Sequence, residues 1–273
     1  MNKIEIKKIG SFLETDDCGF LVKKADISLV LEKWKPIIGD IIEFYKSEFI
    51  SGLASIYVRG SVARGFSVDF VSDIDSFCVT ESGVKINRAR LKRFCEEMAN
   101  KYPFCNGFEM TSCSIDALGT LTPPGRRSIW HQLIKTQSIC VFGTDLSNEI
   151  EPFKIDDMVA HAYWIDEDLD YVYKKIHEPA ISPTEIKSLC VWILKRIIRV
   201  GFELVMTREG RWTRDLCHCV NSFTKHYPIR GPIMSEALTL AVNPTSNRFE
   251  LLRILDQFQP WLSSEVSRVL VDH

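Results

Sequence analysis

Ile56-Tyr57-Val58-Arg59-Gly60-Ser61-Val62-Ala63-Arg64-Gly65, followed by Ser72-Asp73-Ile74-Asp75-Ser76-Phe77, is the stretch on which the fold turns. Leu53 to Val58 is short, apolar and rich in β-forming residues. Arg59-Gly60-Ser61 interrupts it, so it reads as a strand ending in a turn. Eleven residues after Ser61, Asp-x-Asp opens a second apolar run, Ile74 to Thr80. An acidic pair two residues apart means little alone, because 36 acidic residues among 273 produce several such pairs by chance. The information lies in its place, at the start of a strand and downstream of strand-Gly-Ser. On a strand, residues i and i+2 face one side about 6.6 Å apart, so Asp73 and Asp75 can converge on divalent ions. Two such ions, about 3.5 to 4 Å apart, align an attacking oxygen with a phosphorus and neutralise a leaving pyrophosphate. Gly60 lets the backbone approach a phosphate, Ser61 offers its hydroxyl and amide, and Arg64 adds a charge-assisted contact.

Outward from this stretch, Trp34, Ile37, Ile38, Ile41, Ile42 and Tyr45 recur at helical spacing and predict an amphipathic helix with Pro36 in its early part. Asn87 to Lys101 reads as a helix with Leu91, Phe94, Cys95 and Met98 on one face, and Phe108 to Ile115 as a third strand. The turn signal Pro123-Pro124-Gly125 precedes a short helix and the small strand Ile139 to Phe142. From Ile155 the period becomes helical: 156–177, 184–207, 213–226 and two shorter pieces near the end. The expected organisation is a mixed α/β (α+β) domain over 1–151 and an all-helical domain over 152–273, divided near Glu151-Pro152.

The arrangement resembles the DNA polymerase β-like nucleotidyltransferase superfamily, whose signature is h-G-S, a spacer of roughly ten residues, then D-h-[DE]-h. Gly60, Ser61, Asp73 and Asp75 match it position for position. Within it the chain looks most like small bacterial enzymes, such as aminoglycoside or lincosamide nucleotidyltransferases, that pair a minimal catalytic core with a helical C-terminal domain. The resemblance covers about residues 50–150. It implies two Mg²⁺ ions held by Asp73 and Asp75, β/γ-phosphates held by Gly60 and Ser61, and a third carboxylate on a neighbouring strand. Glu109, which opens the third strand, is favoured for that role over Asp116, where the strand runs into a turn. The implied reaction moves a nucleoside monophosphate from a nucleoside triphosphate to a hydroxyl on a small molecule, a tRNA end or a protein, releasing pyrophosphate. A catalytically silent nucleotide- or partner-binding module is the alternative.

Other residues admit two readings each. Lys195 and Arg199, with Arg196 beside them, either bind a triphosphate or form an exposed ladder with Glu203. Arg208, Arg211, Trp212, Thr213, Arg214 and Asp215 make a polar cluster at a helix start, in which Thr213 is the expected N-cap and Trp212 is buried or, with Arg214, stacks on a base or acceptor. Cys217-His218-Cys219 lacks a second pair at zinc-ligand spacing and reads as core cysteines flanking a surface histidine. Trp130-His131 offers a base contact or general base, against a structural role. Gly143-Thr144-Asp145 reads as a turn.

A chain that is 45% hydrophobic and 26% charged has ample apolar surface to offset the entropy of folding, which excludes disorder. Its net charge of −2 makes no polyanion trap of the surface, so nucleic acid would need a local patch. The opening Met-Asn-Lys-Ile-Glu-Ile-Lys-Lys lacks a signal peptide's apolar stretch, and Lys195, Arg196 and Arg199 break the most apolar later segment. Nine cysteines without a C-x-x-C pair fit a reducing compartment. A cytoplasmic protein without a membrane partner is expected.

Overall fold

In the computed structural model, which describes residues 4–6, 10–81, 85–119 and 128–271, Pro36 stands in the first turn of helix α1 (Lys35–Glu48). There its missing N–H costs nothing. Strand β1 (Leu53–Arg59) follows and runs into a single helical turn, α2 (Gly60–Ala63). Next come β2 (Ile74–Thr80), α3 (Arg88–Lys101), β3 (Phe108–Ser114), α4 (Ile115–Gly119), α5 (Ile129–Gln137) and β4 (Ser138–Gly143). Asn87 caps α3 by accepting the Ala89 and Arg90 N–H groups. Pro123-Pro124-Gly125 lies outside the described residues.

The strands form one mixed sheet in the order β3-β2-β1-β4. β1 is antiparallel to both β2 and β4, whereas β2 and β3 run parallel through the α3 crossover. Both faces are covered, and strand alternation divides the core between them. Ile56, Val58, Ile74, Cys78 and Met110 join a cluster with Trp34, Ile37, Ile41 and Tyr45 of the α1 segment and, part-buried, Leu91 and Phe94 of α3. Tyr57, Phe77, Val79 and Cys113 meet Leu133 and Ile134 of α5 on the other face. There the Tyr57 and Phe77 rings stack at 5.1 Å, worth about 0.5 to 1.5 kcal/mol beyond the area they bury. The same alternation carries Asp73 and Asp75 onto the α5 face with Phe77.

The chain divides into two compact units, Thr15–Asp157 and a second made of Met1–Glu14 with Met158–His273. In the second, Leu13 bridges Trp212 in antiparallel fashion and the Ile4 N–H bonds the Asn243 side chain, so the amino-terminal residues belong with the helices. Those helices are α6 (Ile165–Ile176), α7 (Pro183–Glu203), α8 (Met206–Glu209), α9 (Leu216–His226), α10 (Gly231–Val242) and α11 (Arg248–Val266). α7 is the hub, touched by α6, α9, α10 and α11. A full capping box starts it, Ser182 and Glu185 each bonding the other's backbone, with Pro183 at its first position. No described helix is long and apolar enough to cross a membrane.

Two sequence expectations are corrected here. The last helix, α11, is not a short piece but spans 19 residues and continues through Pro260. The N-cap of α9 is Asp215, not Thr213. Thr213 is buried, its hydroxyl donating to the Ser11 carbonyl and accepting the Asp215 N–H.

Candidate active site

Register brings three charged side chains into one row at the end of the sheet. Arg59, the last residue of β1, lies opposite Asp75 of β2, and Asp75 lies opposite Glu109 of β3. Directly paired residues on adjacent strands project to the same face. Arg59 Nη2 donates to Glu109 Oε1 at 2.6 Å and stands 3.3 Å from Asp75 Oδ1. Asp73 precedes β2 on the same side, its Cβ 3.8 Å from where a Cβ on Gly107 would stand. Backbone bonds from Asn106 to Ser72 and from Ile74 to Gly107 tie that segment to the entry of β3. Asp116 sits in the first turn of α4, beyond the opposite end of β3 from Glu109.

Gly60 is needed where it stands. Its φ is +80°, and a Cβ there would lie 2.6 Å from Asp75 Oδ2. Any other residue would meet both backbone strain and this carboxylate. Ser61 follows within α2. Arg64 turns back so that its Nε donates to the Gly60 carbonyl at 3.3 Å, and its guanidinium lies 5.9 Å from the centre of the Phe66 ring. The spacer is pinned along its length. Phe66 N–H bonds the Ser61 carbonyl, Val68 and Ser72 bond each other twice, and Phe70 N–H reaches the Phe104 carbonyl at 2.7 Å. Phe70 adopts a φ of 62° within this turn.

The carboxylates repel one another in partly dry surroundings. Burial raises the pKa of Asp75, Arg59 draws it back, and the charges of Asp73 and Glu109 raise it again, to about 7. Asp73, Asp75 and Glu109 could together hold a hard divalent cation, since carboxylate oxygens are the donors such ions take. A desolvated carboxylate flanked by two others fits that role. As they stand, no three potential ligand side chains among the described residues are gathered closely enough to hold an ion, and Arg59 lies between two of these. Spacing within one segment does not reveal Arg59, because its role depends on pairing with a strand fifteen residues away; its place immediately before Gly60-Ser61 was the available signal.

Below the row, Phe77 packs against Tyr57 and against Trp130 of α5, so the half-buried Trp130 ring lies against the core. Lys195 and Arg199 lie one turn apart on α7 of the helical unit. The exposed Lys-Arg-Glu ladder is not formed, because Glu203 is buried and accepts the backbone N–H groups of His161 at 3.0 Å and Ala162 at 2.8 Å. Burial pushes Glu203 up to about 7 against the pull of those bonds and of Arg214. Arg196 Nη1 lies 2.7 Å from His161 Nδ1, whose pKa burial and the charges of Arg214, Arg199 and Arg196 hold well below the usual value. Trp212 is buried, and Arg211 lies over Phe12 at 3.7 Å. Cys219 is buried and Cys217 half-buried, with His218 against Phe12. Asp145 accepts the Ser147 N–H at the turn after β4.

No protein-family model matches the chain, and no curated protein matches it in sequence. Among solved structures, spectinomycin adenyltransferase AAD(9) from Enterococcus faecialis, determined with ATP and spectinomycin, is similar over 85% of this chain and 99% of its own, with a TM-score of 0.51 at 10% identity. A toxin-antitoxin structure with AMP-PNP is similar over 50% of this chain and 95% of its own (TM-score 0.30, 16% identity). The toxin-antitoxin MntA-HpeT gives the same coverages, a TM-score of 0.29 and 14% identity. The fold assignment rests on the first. With its four-stranded mixed sheet and helical carboxyl-terminal region, the chain has an α+β nucleotidyltransferase fold.

Proposed function

We propose that the chain is a metal-dependent nucleotidyltransferase that passes a nucleoside monophosphate from a nucleoside triphosphate to a hydroxyl acceptor and releases pyrophosphate. The observation that carries this reading is the meeting of Asp75 and Glu109 across β2 and β3 beside Gly60, whose missing side chain leaves room for the Asp75 carboxylate against the turn. Asp73, Asp75 and Glu109 would hold Mg²⁺, two ions in all, which when bound supply charge neutralisation at the phosphorus. Ser61 binds a phosphate oxygen through its hydroxyl and amide, and Arg64 adds positive charge at the same turn. Lys195 and Arg199 contribute further charge to the triphosphate. Glu109, more than half of whose side chain is exposed, either completes the ion site or takes the proton from the acceptor hydroxyl.

The adenyltransferase of like fold was solved with ATP and spectinomycin, which supports ATP as donor and a small polyhydroxylated molecule as acceptor. A tRNA end or protein hydroxyl is the alternative acceptor. Nine free thiols support a cytoplasmic setting. The test is incubation with each α-labelled nucleotide, Mg²⁺ and, in turn, aminocyclitol and aminoglycoside compounds, total tRNA and cell lysate. Label should move to one acceptor class. Nucleotide binding without label transfer to any of them would replace this reading with that of a silent binding module.

A further inference from the structure

Arg59 stands at the β1 end of the row and its guanidinium reaches both Asp75 and Glu109. A single nitrogen, Nη2, serves both neighbours, 2.6 Å from Glu109 Oε1 and 3.3 Å from Asp75 Oδ1. The other oxygen of Asp75 faces Gly60, within 2.6 Å of where a Cβ would stand. Arg59 is anchored at the end of β1 by its pairs with Asp75 on one side and Ser138 on the other, yet a fifth of its side chain reaches solvent, so the guanidinium has a way out that its backbone lacks.

We propose that Arg59 is the resident counter-cation of this cluster and that a divalent ion must displace it from Asp75 and Glu109 in order to bind. The proposal rests on the reading of these carboxylates as the ion site of a nucleotidyltransferase. A carboxylate oxygen in contact with a guanidinium N–H has that lone pair engaged, and two cations sharing the same oxygens repel one another at a few ångströms. Arginine also stays charged at every accessible pH, so the competition is not relieved by loss of its proton. An ion that takes those two oxygens therefore competes with the Arg59 bridge. Arg59 keeps the three strand ends aligned when the ion is absent and sets the ion concentration at which the site fills.

Titrating Mn²⁺ into the full-length protein without nucleotide, followed by the loss of the free-ion paramagnetic resonance signal and by calorimetry, tests this directly. The Arg59→Met variant keeps the length of the stem and removes the competitor, so it should bind Mn²⁺ at least tenfold more tightly than wild type. It should also melt lower than wild type without Mn²⁺ and gain more in melting temperature when Mn²⁺ is added. Arg59→Gln is read in the same way if the methionine variant does not fold. Equal or weaker Mn²⁺ binding by the folded variant overturns the proposal while leaving the ion site intact. Binding by neither protein overturns the ion site and the proposal with it.

Discussion

Asp75 is the side chain through which most of the site is connected. Its carboxylate meets Arg59, faces Gly60 and is paired in register with Glu109, and burial leaves it near the middle of the physiological pH range. Asp73→Asn and Asp75→Asn should each lower nucleotidyl transfer by 10²-fold or more while circular dichroism remains that of the wild type. Transfer within tenfold of wild type in either would remove that residue from the site. Glu109 and Asp116 can be separated likewise. Glu109→Gln keeps the shape and removes the charge, so the rate should fall by roughly 10²-fold, whereas Asp116→Asn, beyond the far end of β3, should be mild. Initial rates with saturating acceptor would show which carboxylate matters. At this scale, much of the arrangement could be read from the chain: Gly60, Ser61, Asp73 and Asp75 announce themselves by local spacing. Arg59 does not, because its meaning comes from the register between β1 and β2.

Elements were legible where their determinants are local. The strands at 53–59 and 74–80 and the helix at 88–101 follow from alternation, helical period and an asparagine cap, all contained in short windows. Thr213 and Glu203 misled for the opposite reason. Thr213 is taken up by the Ser11 carbonyl, 202 residues away, and Glu203 by backbone N–H groups of a segment 41 and 42 residues upstream. Glu203 has a measurable consequence. Folded, it keeps its proton up to about pH 7, whereas an unfolded glutamate releases it near its ordinary value of 4.5. Between those values the native state holds the extra proton, so stability falls as pH rises through the window and levels off above it. Glu203→Gln removes this dependence. Relative to that variant, wild-type unfolding free energy from urea titrations should decline by up to about 3 kcal/mol between pH 5 and pH 8. Parallel curves for the two proteins would show that Glu203 titrates normally.

At the scale of the whole molecule, α7 of the helical unit carries two cations proposed for the triphosphate, Lys195 and Arg199. If Lys195 and Arg199 of α7 each neutralise part of the triphosphate, Lys195→Ala and Arg199→Ala should each weaken binding of a non-hydrolysable nucleotide by about ten- to a hundredfold, as loss of a charged hydrogen bond does. Calorimetric titration decides it. Unchanged affinity in both would confine nucleotide recognition to residues 15–157.

The amino-terminal segment adds a matter of timing. Leu13 pairs with Trp212, and Ser11 bonds Asp215 and Thr213, about 200 residues further along. A ribosome adding ~5 to 20 residues per second takes about 10 to 40 s to cover that interval. Residues 15–157 form a continuous unit and are complete well before then. The sheet can therefore assemble during synthesis while the first strand-like residues wait unpaired. The helical unit, although its first residues precede the sheet, closes only after the sheet is complete.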